Sequence, residues 1–254
     1  MSETHTPDLP LRHLERGGNR LAYRQRPGEG PTLVFLPGYM SDMEGGKATA
    51  LDAWAAGEGR AMLRLDYAGC GASSGNFADQ TLESWRDDVL HLIDHLTEGP
   101  LVLVGSSMGG WLMLLVALAR PDRIAALVGI AAAPDFTGWG FSDAKRAVLA
   151  RGETLAEPSD YSDEPYVTTA AFWRSGEANR LLGGEIPLDC PVRLIHGQAD
   201  TDVPSDISLV LAGKLRSARV EVTLVKDGDH RLSREEDIAR LIRIVSNLDG
   251  DLSC

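Results

Sequence analysis

A GSSMG sequence at residues 105–109 constrains this chain more than any other feature. It follows the apolar run LVLV at 101–104 and precedes the apolar helical segment WLMLLVALA at 111–119. A GxSxG sequence between a buried strand and a helix is typical of a nucleophile elbow, because the outer glycines permit a turn that is too tight for side chains. The pattern predicts that the Ser107 hydroxyl is held above a sheet at a helix N-terminus.

Two plainer interpretations of the same residues stay open. A glycine-rich turn with an N-capping serine would show a similar pattern. Gly110 favours the elbow, because a further small residue lets the helix pack close to the strand. Ser106 is a neighbouring hydroxyl, but it occupies the second position of the motif and not its centre.

In the rest of the chain, short apolar runs alternate with segments whose apolar residues have the spacing of a helix. The predicted strands are 32–36, 61–65, 101–104, 126–131, 192–195 and 220–225, and the predicted helices are 47–56, 82–96, 111–118, 205–215 and 234–248. Continuous apolar runs indicate strands covered on both faces, and their alternation with helices predicts an α/β fold with a mostly parallel, doubly wound sheet. Residues 11–25, which turn at Gly17 and Gly18, predict an antiparallel edge hairpin and bring the sheet to about eight strands.

One interval departs from this alternation. Residues 135–189 contain polar helical material, glycines, prolines and several aromatic residues. The interval is too long for an ordinary connection, so we expect a small helical cap over one edge of the sheet. The 254-residue length fits one domain, 1–254, with this cap as an insertion.

The overall charge restricts the binding partners. A formal net charge of −12, without a basic run, argues against nucleic acid and anionic membrane surfaces as partners. The apolar stretches 111–119 and 124–133 are too short to cross a bilayer, so stable membrane insertion is not expected. Cys70, Cys190 and Cys254 are scattered, which predicts reduced thiols and neither a disulfide framework nor a thiolate zinc site.

The N-terminal residues bear on location. The sequence MSETHTPDLPLRH lacks the basic and apolar regions of a signal peptide, and its acidic character argues against a transit peptide. We therefore expect a cytoplasmic protein.

A serine nucleophile needs a general base, and His230 is the best placed of six histidines. It lies in the sequence KDGDH, directly after the last predicted strand and before the last helix. His5 and His13 precede the main sheet, and His196 ends a predicted strand, where a packed, hydrogen-bonded structural role is expected.

Two further histidines raise the question of a metal site. His91 and His95 are spaced i, i+4 on a predicted helix, as in an HExxH zinc motif. Leu92 occupies the position where that motif requires glutamate, so the zinc interpretation fails.

The base in turn needs an orienting carboxylate, and the loop HGQADTDVP at 196–204 offers two. Asp200 and Asp202 both follow a predicted strand at the carboxyl edge of the sheet, where ligands bind in open α/β folds. Asp202 also fits as a cap of the following helix, since it precedes Val203-Pro204.

Acyl transfer also requires donors for the developing oxyanion. The backbone N–H of Met108 is one candidate, because it follows the serine at a helix N-terminus. The turn LPGYM at 36–40 offers the second, since Gly38 lets the backbone bend so that the Tyr39 N–H points inward. A simple turn is the plainer interpretation of this loop.

With these residues assembled, the chain resembles the α/β-hydrolase superfamily over nearly its whole length. More narrowly, it resembles the palmitoyl-protein thioesterases and acyl-glucuronide esterases of the abhydrolase domain-containing protein 10 group. The resemblance rests on FLPGYMSDMEGGKA, RLDYAGCGASSGNF, TLESWRDDVLHLIDHL, GPLVLVGSSMGGWLML, CPVRLIHGQADTDVP and DHR.

The resemblance implies an α/β-hydrolase fold and a role for each site residue. Ser107 would be the nucleophile and His230 the base, with Tyr39 and Met108 as oxyanion donors. The Asp of HGxxDxxVP is the acid in this family, which implies Asp200 and not Asp202. The animal members of the group are mitochondrial, whereas this N-terminus predicts the cytoplasm.

The sequence therefore predicts a serine hydrolase that cleaves carboxylic esters or thioesters through an acyl-enzyme, without a cofactor or metal. The expected substrate is a small molecule or an acylated protein. Met40, Trp111 and Trp139 are candidates for an apolar acyl-binding wall, although both tryptophans would also suit core packing. A peptidase or acyltransferase with the same triad, and a non-catalytic binding protein, are the alternatives.

Overall fold

A computed structural model describes the backbone of residues 9–158 and 165–252 and the side chains as far as residue 248. His5, Cys254 and part of the expected cap, 159–164, lie outside these residues. The strands are β1 Arg12–Arg16, β2 Asn19–Arg26, β3 Glu29–Leu36, β4 Arg60–Leu65, β5 Leu101–Ser106, β6 Ile124–Ile130, β7 Leu155–Glu157, β8 Tyr166–Thr168, β9 Val192–Gly197 and β10 Val220–Val225. The α-helices are α1 Gly46–Gly57, α2 Leu82–Leu96, α3 Met108–Ala119, α4 Phe136–Trp139, α5 Asp143–Ala150, α6 Ala170–Ala178, α7 Asp206–Lys214 and α8 Glu235–Leu252.

Eight of these strands form one sheet, in the order β1-β2-β4-β3-β5-β6-β9-β10. The pairs β1–β2 and β2–β4 are antiparallel, and the remaining pairs are parallel. The predicted edge hairpin is confirmed, and Gly17 and Gly18 take φ of 59° and 86° at its turn. The predicted doubly wound α/β sheet is likewise confirmed.

Apolar side chains cover both faces of the sheet, which is why its central strands are apolar throughout. Trp85 of α2 and Leu112 of α3 are buried in the core on one face. Leu51 of α1 and Leu241 of α8 are buried in the core on the other face. The strand β10 differs from the prediction of a strand covered on both faces, because it lies at the sheet edge and leaves Leu224 38% exposed.

The interval between β6 and β9 contains the helices α4, α5 and α6, as its composition led us to expect. It also contains a small antiparallel sheet, in which Leu155 of β7 pairs with Thr168 of β8. The prediction of a purely helical insertion missed these strands, since three residues are too few to show a clear alternation. No helix among the residues described is long and apolar enough to cross a membrane.

Candidate active site

Ser107 lies at the sharp turn between β5 and α3, in a backbone conformation that side chains rarely adopt. Its φ is 54° and its ψ is −120°. Backbone hydrogen bonds hold this strained turn in place: the Ser107 N–H donates to the Ile130 carbonyl at 2.9 Å, and the Ala133 N–H donates to the Ser107 carbonyl at 3.0 Å. Strain of this kind persists only where the surrounding structure fixes it, and it is common at functional sites.

The glycines around Ser107 are required by close backbone approach. A Cβ on Gly105 would lie 2.3 Å from the Gly109 carbonyl oxygen, and one on Gly109 would lie 2.1 Å from that of Leu36. A Cβ on Gly110 would lie 2.5 Å from the Cβ of Ala132, which confirms the expected close packing at that position. The motif is therefore a tight strand-to-helix elbow, as its sequence context predicted.

The imidazole of His230 lies between Ser107 and Asp200. Its Nε2 is 3.1 Å from the Ser107 hydroxyl oxygen, and its Nδ1 is 2.8 Å from Asp200 Oδ2. A neutral imidazole that donates from Nδ1 to the carboxylate leaves Nε2 free to accept the Ser107 proton. The loops after β5, β9 and β10 thus bring together the three side chains that the sequence singled out.

The side chain of Asp200 is fully buried and accepts several hydrogen bonds. Its Oδ1 accepts the backbone N–H groups of Asp202 at 2.9 Å and Val203 at 2.8 Å. Its Oδ2 accepts from His196 Nε2 at 3.1 Å as well as from His230. Burial alone would raise the pKa of Asp200, but these hydrogen bonds outweigh it and hold the pKa well below its usual range.

His196 is fully buried and hydrogen-bonded, as the sequence predicted. Its Nδ1 lies 2.7 Å from the Ser208 hydroxyl, and its Nε2 lies 3.0 Å from the Val203 carbonyl oxygen. The contact of His196 Nε2 with Asp200 was not predicted, although the HGxxD spacing places the two residues four positions apart. His196 therefore links β9, α7 and the buried carboxylate.

Asp200, Asp202 and His230 are the group of side chains that comes nearest to a metal-ligand set in the described part of the chain. Four donors already occupy the two Asp200 oxygens, which leaves this carboxylate little capacity for a cation. The donor set fits hydrogen bonding to an imidazole better than it fits a metal.

The loop after β3 lies against the elbow. An ideal Cβ on Gly38 would lie 3.4 Å from Ser107 Cβ, and Met40 takes a φ of 53° as the loop turns. Among the described residues, neither the Tyr39 nor the Met108 backbone N–H is seen to donate to another protein group. Both therefore remain available to an oxygen placed beside Ser107.

Two cavities meet at Ser107, and Tyr39, Tyr166 and His230 line both of them. The first, here called the apolar cavity, has a volume of about 390 Å³ and is lined by Met108, Ala133, Phe136, Trp139, Phe141 and Val203, together with the polar residues Glu157, Thr168, Thr201 and Asp202. The second, here called the cationic cavity, has a volume of about 360 Å³ and is lined by Met40, Ser41, Lys47, Arg231 and Ser233. One cavity suits an apolar chain and the other a polar group.

The expected acyl-binding wall needs one correction. Trp139 lines the apolar cavity and Met40 lines the cationic cavity. Trp111 lines neither, because it is fully buried on α3. Its ring packs edge-on against Phe136, and its Nε1–H donates to the Asn179 carbonyl at 3.2 Å. Trp111 is thus a core residue, which was the alternative interpretation.

Three further residues beside Ser107 were not predicted from the sequence. Tyr166 lies in the cap interval, where no pattern indicated which aromatic residue faces the serine. Lys47 lies in the segment FLPGYMSDMEGGKA, whose resemblance to known hydrolases was the available signal. Arg231 follows His230 directly, and this adjacency could have placed it near the serine.

A model of the alpha/beta hydrolase family matches residues 33–244. The chain belongs to the alpha/beta hydrolase family. Human "Palmitoyl-protein thioesterase ABHD10, mitochondrial" is 40% identical to this hydrolase over 258 residues, which cover 100% of this chain and 81% of the human protein. The mouse protein of the same name is 42% identical over 238 residues, covering 92% of this chain and 80% of the mouse protein.

Solved structures of similar hydrolases agree with these matches. Mouse alpha/beta hydrolase domain-containing protein 10 superposes with a TM-score of 0.89 at 40% identity, covering 96% of this chain and 99% of the mouse chain. A putative hydrolase from Agrobacterium vitis superposes with a TM-score of 0.88 at 38% identity, covering 95% of this chain and 98% of that chain. The comparisons confirm the predicted family, the α/β-hydrolase fold and the class of function, a hydrolase of ester or thioester bonds.

The expected cytoplasmic location is wrong. The human and mouse relatives are named as mitochondrial proteins, and this hydrolase is at least 40% identical to each. The inference from an N-terminal pattern fails because it rests on a few residues, whereas the likeness to mitochondrial proteins extends over the chain.

Proposed function

We propose that Ser107, His230 and Asp200 form the catalytic triad of a serine hydrolase that cleaves acyl thioesters and esters. The observation that carries this proposal is the continuous contact from the Ser107 hydroxyl to His230 at 3.1 Å and from His230 to Asp200 at 2.8 Å. A serine hydroxyl becomes an effective nucleophile when an oriented imidazole can take its proton.

Acylation follows from this geometry. The Ser107 oxygen attacks the acyl carbonyl carbon while His230 Nε2 takes the hydroxyl proton. Asp200 stays ionised because its hydrogen bonds keep its pKa low, so it stabilises the imidazolium that forms. The Tyr39 and Met108 backbone N–H groups donate to the oxyanion of the tetrahedral intermediate.

Release of the two products uses the same groups. When the intermediate collapses, the bond to the leaving oxygen or sulfur breaks, and that atom takes the proton from His230. A water molecule then attacks the acyl-enzyme and gives one proton to His230. Collapse of the second intermediate releases the carboxylic acid, and Ser107 regains its proton.

The proposed substrate is a long-chain acyl thioester, including S-acylated protein. The apolar cavity supports this proposal, because Phe136, Trp139 and Val203 offer apolar surface to an acyl chain beside Ser107. The thioesterase names of the human and mouse relatives point to the same class. We also propose that residues 135–189 act as the cap, since Phe136 and Trp139 belong to them.

Hydrolysis of an S-palmitoyl-cysteine peptide and of p-nitrophenyl esters of increasing acyl length tests the proposal. Substitution Ser107→Ala removes the nucleophile, and we expect kcat to fall by at least about 10⁴-fold. Ser106→Ala is the matched control and should change kcat by less than about threefold, because it removes a neighbouring hydroxyl of the same motif. Substantial hydrolysis by the folded Ser107→Ala protein would contradict the proposal.

A further inference from the structure

The cationic cavity contains a lysine with few partners. Lys47 lies at the start of α1, half-buried, and its Nζ donates to the Arg231 carbonyl at 2.5 Å. An ammonium group carries three donors, and the other two find no partner among the residues that the structure describes. Among those residues, the Lys47 ammonium forms no ion pair with a carboxylate. Lys47 is therefore a partly buried cation without a carboxylate in direct contact.

The surroundings disfavour the charged form of Lys47. Desolvation and the nearby Arg231 guanidinium lower the pKa of Lys47 to about 8, although Asp229 and Asp237 act in the opposite direction. Two cations beside one cavity repel each other, and an anion placed between them would reduce that repulsion.

Three carboxylates lie in the cavity lining or act electrostatically on Lys47, and each accepts hydrogen bonds from other groups. Asp42 also lines the cavity, but its Oδ1 accepts the Glu44 N–H at 2.9 Å. Asp229 Oδ1 accepts the Leu232 N–H at 2.9 Å. Asp237 is paired with Arg234 at 2.8 Å and with a second arginine on α8. None of these carboxylates neutralises Lys47 by direct contact.

The start of α1 adds to the positive potential. Gly45 and Gly46 line the cationic cavity, and Gly45, the residue before α1, provides no side-chain cap. The first turn of α1 contains no acidic residue. The N-terminus of a helix favours a negative group through its free N–H groups and its dipole.

Because both cavities are lined by Ser107, the cationic cavity can hold a part of the substrate during the reaction. An acyl chain in the apolar cavity leaves the other side of Ser107 and His230 to the departing group. We propose that the cationic cavity binds an anionic group, a carboxylate or a phosphate, on the leaving group of the substrate, with Lys47 as its counter-charge. This inference rests on the proposed function, because it divides one substrate between the two cavities.

Aryl esters with one common acyl group and different leaving groups test the proposal. The leaving phenol carries a carboxylate, a phosphate or a neutral carboxamide, and kcat/KM is measured for each ester. In Lys47→Met we expect the ratio of anionic to neutral kcat/KM to fall roughly 10-fold to 100-fold, the usual effect of losing a hydrogen bond to a charged group. The ratio cancels the intrinsic reactivity of each ester.

Three comparisons sharpen this test. Lys214→Met, on α7, is the matched control and should leave the ratio unchanged. Lys47→Arg should restore most of it, because the charge returns. A larger loss for the carboxylate or for the phosphate ester identifies which anion the cavity takes, whereas equal changes for all three esters would overturn the proposal.

The wild-type protein offers a second test that needs no variant. The Lys47 ammonium loses its proton as the pH rises past about 8, while Arg231 stays charged, so the anionic-to-neutral ratio should decline between pH 7 and pH 9.5. A constant ratio over that range would count against Lys47 as the counter-charge.

Failure of the subsite and failure of the proposed function give different results. If every ester is hydrolysed through Ser107 but the anionic-to-neutral ratio of kcat/KM is the same in the wild type and in Lys47→Met, only the subsite is wrong.

Binding of 4-hydroxybenzoate and 4-hydroxybenzamide to the Ser107→Ala protein, measured by calorimetry, tests the subsite without turnover. We expect tighter binding of the carboxylate, and equal affinities would reject the subsite.

Discussion

The orientation of His230 depends on the buried carboxylate of Asp200. It accepts His230 Nδ1–H at 2.8 Å, and the N–H groups of Asp202 and Val203 fix its position. The carboxylate therefore sets the imidazole tautomer that leaves Nε2 facing Ser107. Asp202 contributes its backbone N–H to this arrangement. Substitution of the Asp202 side chain would leave that hydrogen bond in place.

Substitution of the two aspartates separates these roles. In Asp200→Asn we expect kcat to fall by about 10⁴-fold, because a carboxamide favours the wrong imidazole tautomer and does not stabilise the imidazolium. In Asp202→Asn we expect a change of less than about tenfold. Steady-state hydrolysis of a p-nitrophenyl ester by both variants measures the contrast, and equal losses would refute the assignment of Asp200.

Residues that the reaction itself requires could be predicted from the sequence. Residues that reach the site only through the packing of distant segments could not. Ser107 and His230 follow from a motif and from chain order, because acyl transfer needs those groups at those loops. The same logic cannot tell whether Trp111 faces a cavity or the core, since both surroundings are apolar. Lys47 was missed because its place beside Ser107 depends on how α1 packs.

At the scale of elements, Asp66 joins the loop after β4 to the loop after β3. Its carboxylate accepts the Met43 N–H at 2.7 Å and the Ala72 N–H at 2.8 Å. A Cβ on Gly71 would lie 2.2 Å from Asp66 Oδ2, so the loop backbone encloses the carboxylate. Burial raises the pKa of Asp66 to about 6 in spite of these hydrogen bonds.

This pKa predicts an unusual contribution to the pH dependence of stability. The folded protein binds the Asp66 proton below about pH 6, whereas the unfolded chain binds it only below about pH 4. As the pH falls from 6 to 4, the free energy of unfolding of the wild type should therefore rise relative to that of Asp66→Asn, by at most about 3 kcal/mol.

Urea unfolding of both proteins at several pH values measures this difference, with Asp122→Asn as an exposed control that should show no such trend. A wild-type to Asp66→Asn difference that stays constant between pH 7.5 and 4.5 would be inconsistent with a buried carboxyl of raised pKa.

Element positions were predictable where apolar residues recur at a regular spacing. The predicted helix 82–96 coincides with α2, and the predicted strand 220–225 coincides with β10. The carboxyl end of β5 and the start of α3 were missed by two and three residues, because the elbow glycines interrupt the apolar pattern. The three-residue strands β7 and β8 were missed entirely, since their pairing depends on contacts across the cap interval.

At the scale of the whole molecule, the fold places two cavities with different linings beside one serine. The apolar cavity draws its walls mainly from the interval between β6 and β9, and the cationic cavity draws its walls from the loop after β3, the start of α1 and the loop after β10. The sequence predicted the sheet and its topology class, because strand and helix alternate along the chain. It could not predict the cavities, which exist only once distant loops meet.

The proposed hydrolase activity depends on the activation of Ser107 by His230. An alkyl fluorophosphonate reacts with such a serine, and peptide mass spectrometry locates the adduct. We predict one adduct, on Ser107, and a rate of labelling that falls by at least about 100-fold in the folded His230→Ala variant. An unlabelled wild-type protein, or an adduct on Ser106, would contradict the account.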